Sequence, residues 1–223
     1  MTFARGMTRK SGFGGELVWL SAFGVAFGYL ESAVVVYLRT IAYAGSFSFP
    51  LQPIPPLILG TEIGREAATL AMLAAAALAP GGRRLLKLAR FVYCFGLWDV
   101  FYYVGLKALL GWPPSAFTWD ILFLIPVPWS APVLAPASVA AYFAVVGAYG
   151  IIRRGDVKTT TWQTALAAGG AGLIFTTFLW NVGPCIRAEP PATYPWPLFG
   201  LGLAALVAAF VAAFIGTQRR RKI

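Results

Sequence analysis

The chain has 223 residues, and its eight carboxylates are the groups most able to do chemistry. Glu16, Asp156 and Glu189 fall at the ends of apolar stretches or between them. Glu31, Glu62, Glu66 and Asp99 fall inside apolar stretches, and Asp120 flanks one. A carboxylate at the centre of a membrane-spanning helix costs about 3 kcal/mol on insertion scales, so it faces protein or water and takes a partner. The densest motif is Glu62-Ile63-Gly64-Arg65-Glu66-Ala67-Ala68-Thr69. In a helix Glu62 and Glu66 share a face, with Arg65 and Thr69 beside them, and Gly64 would let a neighbour approach. A second group is Asp99 with Tyr102 and Tyr103, and a third is Glu31-Ser32. Arg39 and Lys107 are candidate counter-charges.

Three kinds of chemistry fit this set. The acids and arginines can neutralise one another and fix helix register, as in a structural or accessory subunit of a larger membrane complex. They can bind a cation, a small solute or a relayed proton in a transport protein; Glu62, Glu66, Glu31, Asp99, Asp120, Arg65 and Tyr103 are the candidates, with Glu62 and Glu66 at the centre. Or Glu31, Glu62, Glu66 and Asp99 can hold a hard metal such as Mg, Ca or Mn for a membrane enzyme acting at the outer face. The leading expectation is the transport-type site.

The chain contains no histidine. That removes a Ser-His-Asp triad and histidine-ligated haem, and it argues against most zinc and copper sites. No Walker or dinucleotide glycine fingerprint occurs, so no haem, zinc or nucleotide cofactor is expected. The two cysteines, Cys94 and Cys185, show no CxxC spacing and are not expected to pair.

The elements that must position these residues are long and apolar. Hydrophobic residues make up 59% of the chain and charged ones 12%, with a mean hydropathy of +0.72, which is too apolar for a soluble core of this size. The expected fold is all-α: a single polytopic bundle over 1–223 with about six transmembrane helices, near 17–38, 57–79, 88–110, 133–152, 162–181 and 198–216. The first stretch is long enough to span and shows no cleavage site, so it reads as a span and not a signal peptide. Glu31 is fourteen residues along that span, roughly 21 Å into a core about 30 Å thick. Similar reckoning puts Glu62, Glu66, Asp99 and Asp120 in the middle or outer half.

Charge placement orients the spans. Fourteen of the eighteen Lys/Arg lie in four clusters: Arg5 to Lys10, Arg83 to Arg90, Arg153 to Lys158, and Arg219 to Lys222. With six spans all four share one side, leaving Arg39, Lys107 and Arg187 on the other. The positive-inside rule then predicts both ends in the cytoplasm, in a cell membrane of the bacterial cytoplasmic type. The same placement argues against a nucleic-acid partner despite the net charge of +10. The expected partners are the lipid bilayer and either other membrane subunits or a second copy; small-residue stretches such as Ala167–Gly172 and Gly200–Gly202 read first as close helix packing within the bundle and only second as a dimer face. The outer connections are rich in proline and aromatics, with Trp112, Trp119, Trp129 and Trp196 read as an interfacial belt. Between Trp119 and Pro132, three prolines block a regular helix. A half-helix over about 119–125 followed by an extended turn is expected there, as a re-entrant or lid-like element on the outer side.

Overall fold

The computed structural model describes residues 13–42 and 55–219. The elements in chain order are α1 (Phe13–Ala42), α2 (Pro56–Leu78), α3 (Arg84–Leu110), β1 (Trp119–Phe123), β2 (Trp129–Pro132), α4 (Leu134–Ile152), α5 (Thr161–Phe178), α6 (Val182–Ile186) and α7 (Trp196–Arg219). Six long helices therefore cover the six apolar stretches. Among the described residues, four helical segments are long and apolar enough to cross a membrane: Gly14–Thr40, Leu134–Ile152, Thr161–Ile186 and Trp196–Gln218. α2 and α3 have 23 and 27 residues and carry buried charges of their own, Glu62 and Glu66 on α2 and Arg90 on α3. The chain is a multi-pass helical membrane protein with buried charged residues.

Sequence punctuation sets the helix ends. Pro56 opens α2 at its first turn, where its missing N–H costs nothing. α3 stops at Gly111, whose φ of 65° is the left-handed cap conformation, and its N–H bonds to Lys107 O. Lys107, expected as a counter-charge for the acids, instead donates to the carbonyls of Gly111 (3.1 Å) and Pro113 (2.9 Å) at this helix end.

α3 is the central element, packed along α1 on one side and α4 on the other, while α5 packs along α7. Glycines permit the closeness. A Cβ added to Gly28 of α1 would stand 2.5 Å from Trp98 O, and one added to Gly96 of α3 would stand 2.5 Å from Ala140 O. The predicted small-residue packing is present between α5 and α7, where a Cβ at Gly170 would lie 2.7 Å from Gly202 O. Gly64 does not serve the purpose expected of it, since its Cβ position meets nothing within 4 Å.

The ends bearing the internal basic clusters gather together. Buried Arg90 of α3 forms an ion pair with half-buried Glu16 of α1 and donates to Gly81 O in the α2–α3 turn. Arg83 approaches Asp156 of the α4–α5 loop at 3.8 Å, and Lys158 N lies 3.4 Å from Thr217 Oγ1 of α7. The start of α1, the α2–α3 turn, the α4–α5 loop and the end of α7 thus share one end of the bundle.

At the opposite end the expected half-helix is replaced by a β-hairpin. β1 and β2 pair antiparallel, Trp119 with Pro132, Asp120 with Ala131, Ile121 with Ser130 and Phe123 with Trp129, with an irregularity between Ile121 and Phe123. Pro126, Pro128 and Pro132 remove the amides a helix needs, whereas a two-stranded edge accepts proline at its tip and at its last position. The aromatic and β-branched residues Trp119, Ile121 and Phe123 suit an extended chain. Of the tryptophans read as a belt, Trp112 is buried, and Trp119 and Trp196 are half-buried and meet Tyr194 edge-on with ring centroids 5.9 and 4.8 Å away.

The glycine contacts make a direct prediction. Gly28→Ala and Gly96→Ala each force backbone apart and should cost about 1–3 kcal/mol. Gly64→Ala, in open space on a helix, should be neutral or mildly stabilising. Thermal melts of the three purified variants in one detergent check this; equal melting temperatures would contradict the packing.

Candidate functional site

Five carboxylates and two guanidiniums meet at a cavity of about 410 Å³ near the hairpin end of the bundle. α1 contributes Glu31 and Arg39, α2 contributes Glu62, Arg65 and Glu66, α3 contributes Asp99, Tyr102 and Tyr103, and β1 contributes Asp120. Each of the seven candidate residues named from the sequence lines it. The helix phase explains part of this. Glu62, Glu66 and Thr69 lie on one face of α2, and that face is buried.

The acids differ in how they are satisfied. Arg65 bridges two of them. It pairs with Glu31 across to α1, and its Nη2 lies 2.8 Å from Glu62 Oε2 on its own helix. Thr69 Oγ1 donates to the second oxygen of Glu31. All three carboxylate-bearing positions on this side, Glu31, Glu62 and Glu66, are buried. A guanidinium fits this role because its fork of donors satisfies two carboxylates at once. Glu66 takes a different partner: both its oxygens accept from the backbone N–H of Leu124, at 3.0 and 2.8 Å. That amide lies beyond the last ladder pair of β1, so the carboxylate supplies the acceptor the hairpin tip lacks.

Asp120 accepts from Tyr103 Oη at 3.1 Å and interacts electrostatically with Arg39. The Arg39 guanidinium also lies over the Trp112 ring, 4.1 Å from its centroid. Asp99 stands apart. It has neither a hydrogen-bond nor an ion-pair partner among the described residues, and its electrostatic neighbour is another acid, Asp120. It is half-buried in α3 and lines the cavity wall.

The arrangement shifts emphasis within the candidate set. Glu62 and Glu66, expected at the centre, are held by Arg65 and by the hairpin, and Asp99 has no cation partner among the described residues. The hard-metal chemistry raised for Glu31, Glu62, Glu66 and Asp99 needs several such side chains around one point. Among the described residues no group of three or more His, Cys, Asp or Glu is placed to hold an ion. Arg65 occupies the position between Glu31 and Glu62 that a cation would take.

Several lining residues were not singled out from the sequence. Phe95, Trp98, Phe123 and Trp129 form an aromatic wall, with Phe95–Trp98 centroids 5.3 Å apart and Phe123–Trp129 5.4 Å. The signal was present for Trp98, which directly precedes Asp99, but an apolar span gives no cue to which aromatics face a cavity. Cys185 also lines the cavity, with its thiol donating to Ser130 Oγ at 3.3 Å, while Cys94 is core; both thiols are free. Asn181 accepts from Ala192 N at 2.7 Å and so ties the start of α6 to the loop before α7. Compared with known proteins, the chain matches no family model, no curated protein and no solved structure.

The Glu31–Arg65–Glu62 triad predicts its own mutational pattern. Arg65→Gln leaves two buried carboxylates uncompensated and should destabilise the protein by about 3–5 kcal/mol. Adding Glu31→Gln and Glu62→Gln removes the stranded charges and should recover most of that loss. Denaturation of the single and triple variants tests this, and a triple variant no more stable than Arg65→Gln would contradict the pairing.

Proposed function

We propose that the chain is a single six-span bundle of the cytoplasmic membrane, with both ends inside, that binds and transports a cationic solute or proton through the outer-half cavity. The observation that carries this reading is Asp99. A half-buried carboxylate with no cation partner among the described residues, on the wall of a small-molecule-sized cavity, is a site for a mobile positive charge. The surrounding charge agrees, since five carboxylates face two guanidiniums there.

α1, α3 and α4 form one closely packed set and α5 with α7 another. The two sets meet in a continuous side-chain core of Ala135 and Val139 with Ile174, Phe178 and Leu206, and Tyr142 donates to Leu206 O at 3.0 Å. The hairpin closes one side of the cavity and is held there by Glu66. A structural role has its own support for one part of the network: the Arg65 triad fixes α2 against α1 and needs no ligand to explain it. On this reading the triad builds the site and Asp99 works in it.

The test is cation-dependent stability of the purified chain. Melting temperatures are measured against chloride salts of Na, K, Mg and Ca, and against choline chloride, at constant ionic strength. At least one cation is expected to raise the wild-type melting temperature saturably, with a gain of about 2.7 kcal/mol at a hundred times its Kd. Asp99→Asn should abolish that gain. A wild type indifferent to every cation, or a gain that survives Asp99→Asn, would overturn the proposal.

A further inference from the structure

The walls around Asp99 say more about the ligand than its charge. Resting on the cation-binding reading above, we infer that the cavity takes an organic monocation, an amine or quaternary ammonium with an apolar body, and not a hydrated inorganic ion. Two independent features lead to this. The first is Asp99 on the cavity wall, half-buried and without a hydrogen-bond or ion-pair partner among the described residues. The second is the aromatic surface next to it.

Trp98 adjoins Asp99 in α3 and joins Phe95, Tyr102 and Phe123 in one continuous cluster. Its ring centroid lies 5.3 Å from Phe95, 6.4 Å from Tyr102 and 6.2 Å from Phe123. Trp129 extends the cluster, 5.4 Å from Phe123. All of these line the same cavity as Asp99. Aromatic faces attract a cation whose charge is spread over carbon-bearing groups, and they offer nothing to a shell of water molecules. Mg²⁺ keeps several waters, and Ca²⁺ wants six to eight oxygens. The other carboxylates each have a protein partner: Glu31 and Glu62 pair with Arg65, Glu66 accepts from Leu124 N–H, and Asp120 accepts from Tyr103. Asp99, the cavity carboxylate without such a partner among the described residues, stands beside an aromatic wall and so matches one diffuse positive charge on an apolar molecule. The volume of about 410 Å³ lies within the range that holds small organic ligands.

The full chain in an uncharged maltoside detergent serves for the test, with tryptophan fluorescence and melting temperature as readouts. The probes are benzyltrimethylammonium, tetramethylammonium, benzyl alcohol and the chlorides of sodium, Mg and Ca, each as a titration. Benzyltrimethylammonium is expected to bind saturably and about tenfold or more tighter than tetramethylammonium, because the ring adds apolar contact. Asp99→Asn should weaken it by about tenfold or more, a difference that reports charge pairing. Phe95→Leu should also weaken it, and this second variant keeps the test informative if Asp99→Asn does not fold. Benzyl alcohol binding as tightly as benzyltrimethylammonium would overturn the inference, since the cavity would then select for apolarity alone. Stabilisation by sodium, Mg or Ca with no response to benzyltrimethylammonium would overturn the organic-cation assignment and leave the cation-binding proposal standing. No response to any cation would overturn both.

Discussion

A guanidinium held between two buried carboxylates joins α2 to the rest of the bundle at the cavity end. α1 and α2 hardly approach one another as backbones, yet Arg65 reaches from α2 to Glu31 of α1 while keeping Glu62 of its own helix. Within apolar surroundings such charges are tolerated together and costly apart. Their mutual need places the face of α2 that carries Glu62, Glu66 and Thr69 toward α1 and α3. Glu66, on that same face, then meets the hairpin. The cavity follows from this one constraint: α2 is held at side-chain length from α1, and the space left is lined by the residues that do the holding.

The two ends of the molecule use charge in different ways. At the end with the internal basic clusters, Arg90 and Glu16 lock α1 to α3, and the more exposed Arg83, Lys158 and Asp156 meet around the α2–α3 and α4–α5 connections. Glycine-mediated contact of α3 with α1 and α4 stiffens the middle. At the other end the chain gives up regular helix. Prolines divert it into a hairpin whose strand carries Asp120 inward and whose tip amide finds Glu66. Rigid packing below and a side-chain-supported hairpin above suit a site that must admit and release a ligand, the role proposed here.

Much of this was legible in the residues. Apolar runs located the six long helices, and the cost of burying carboxylates singled out the residues that line the cavity, because both arguments rest on transfer energies that do not depend on tertiary detail. The role of each acid was not legible. Arg65 could be placed beside Glu62 from spacing alone, but its reach to Glu31 depends on how two helices with no sequence proximity are arranged. Glu66 accepts from a backbone amide 58 residues away, a partner that leaves no mark on side-chain pattern. Lys107 reads as a counter-charge by depth and turns out to serve a helix end. The segment from Trp119 to Pro132 was legible as non-helical in its second half only. Ahead of Pro126 the apolar run fits helix or strand equally, and pairing with β2 decides it.

The proposed transport requires an anionic cavity that opens toward the outer side at the hairpin end. The most direct measurement is charge-selective thiol labelling of Leu38→Cys, a lining position, in a Cys94→Ala/Cys185→Ala background in sealed, right-side-out membranes. Membrane-impermeant cationic and anionic methanethiosulfonates of similar size are compared from outside. The account predicts reaction from outside, with the cationic reagent faster by about tenfold or more, since the local field concentrates positive reagents. Equal rates, a faster anionic reagent, or labelling that needs permeabilised membranes would contradict it.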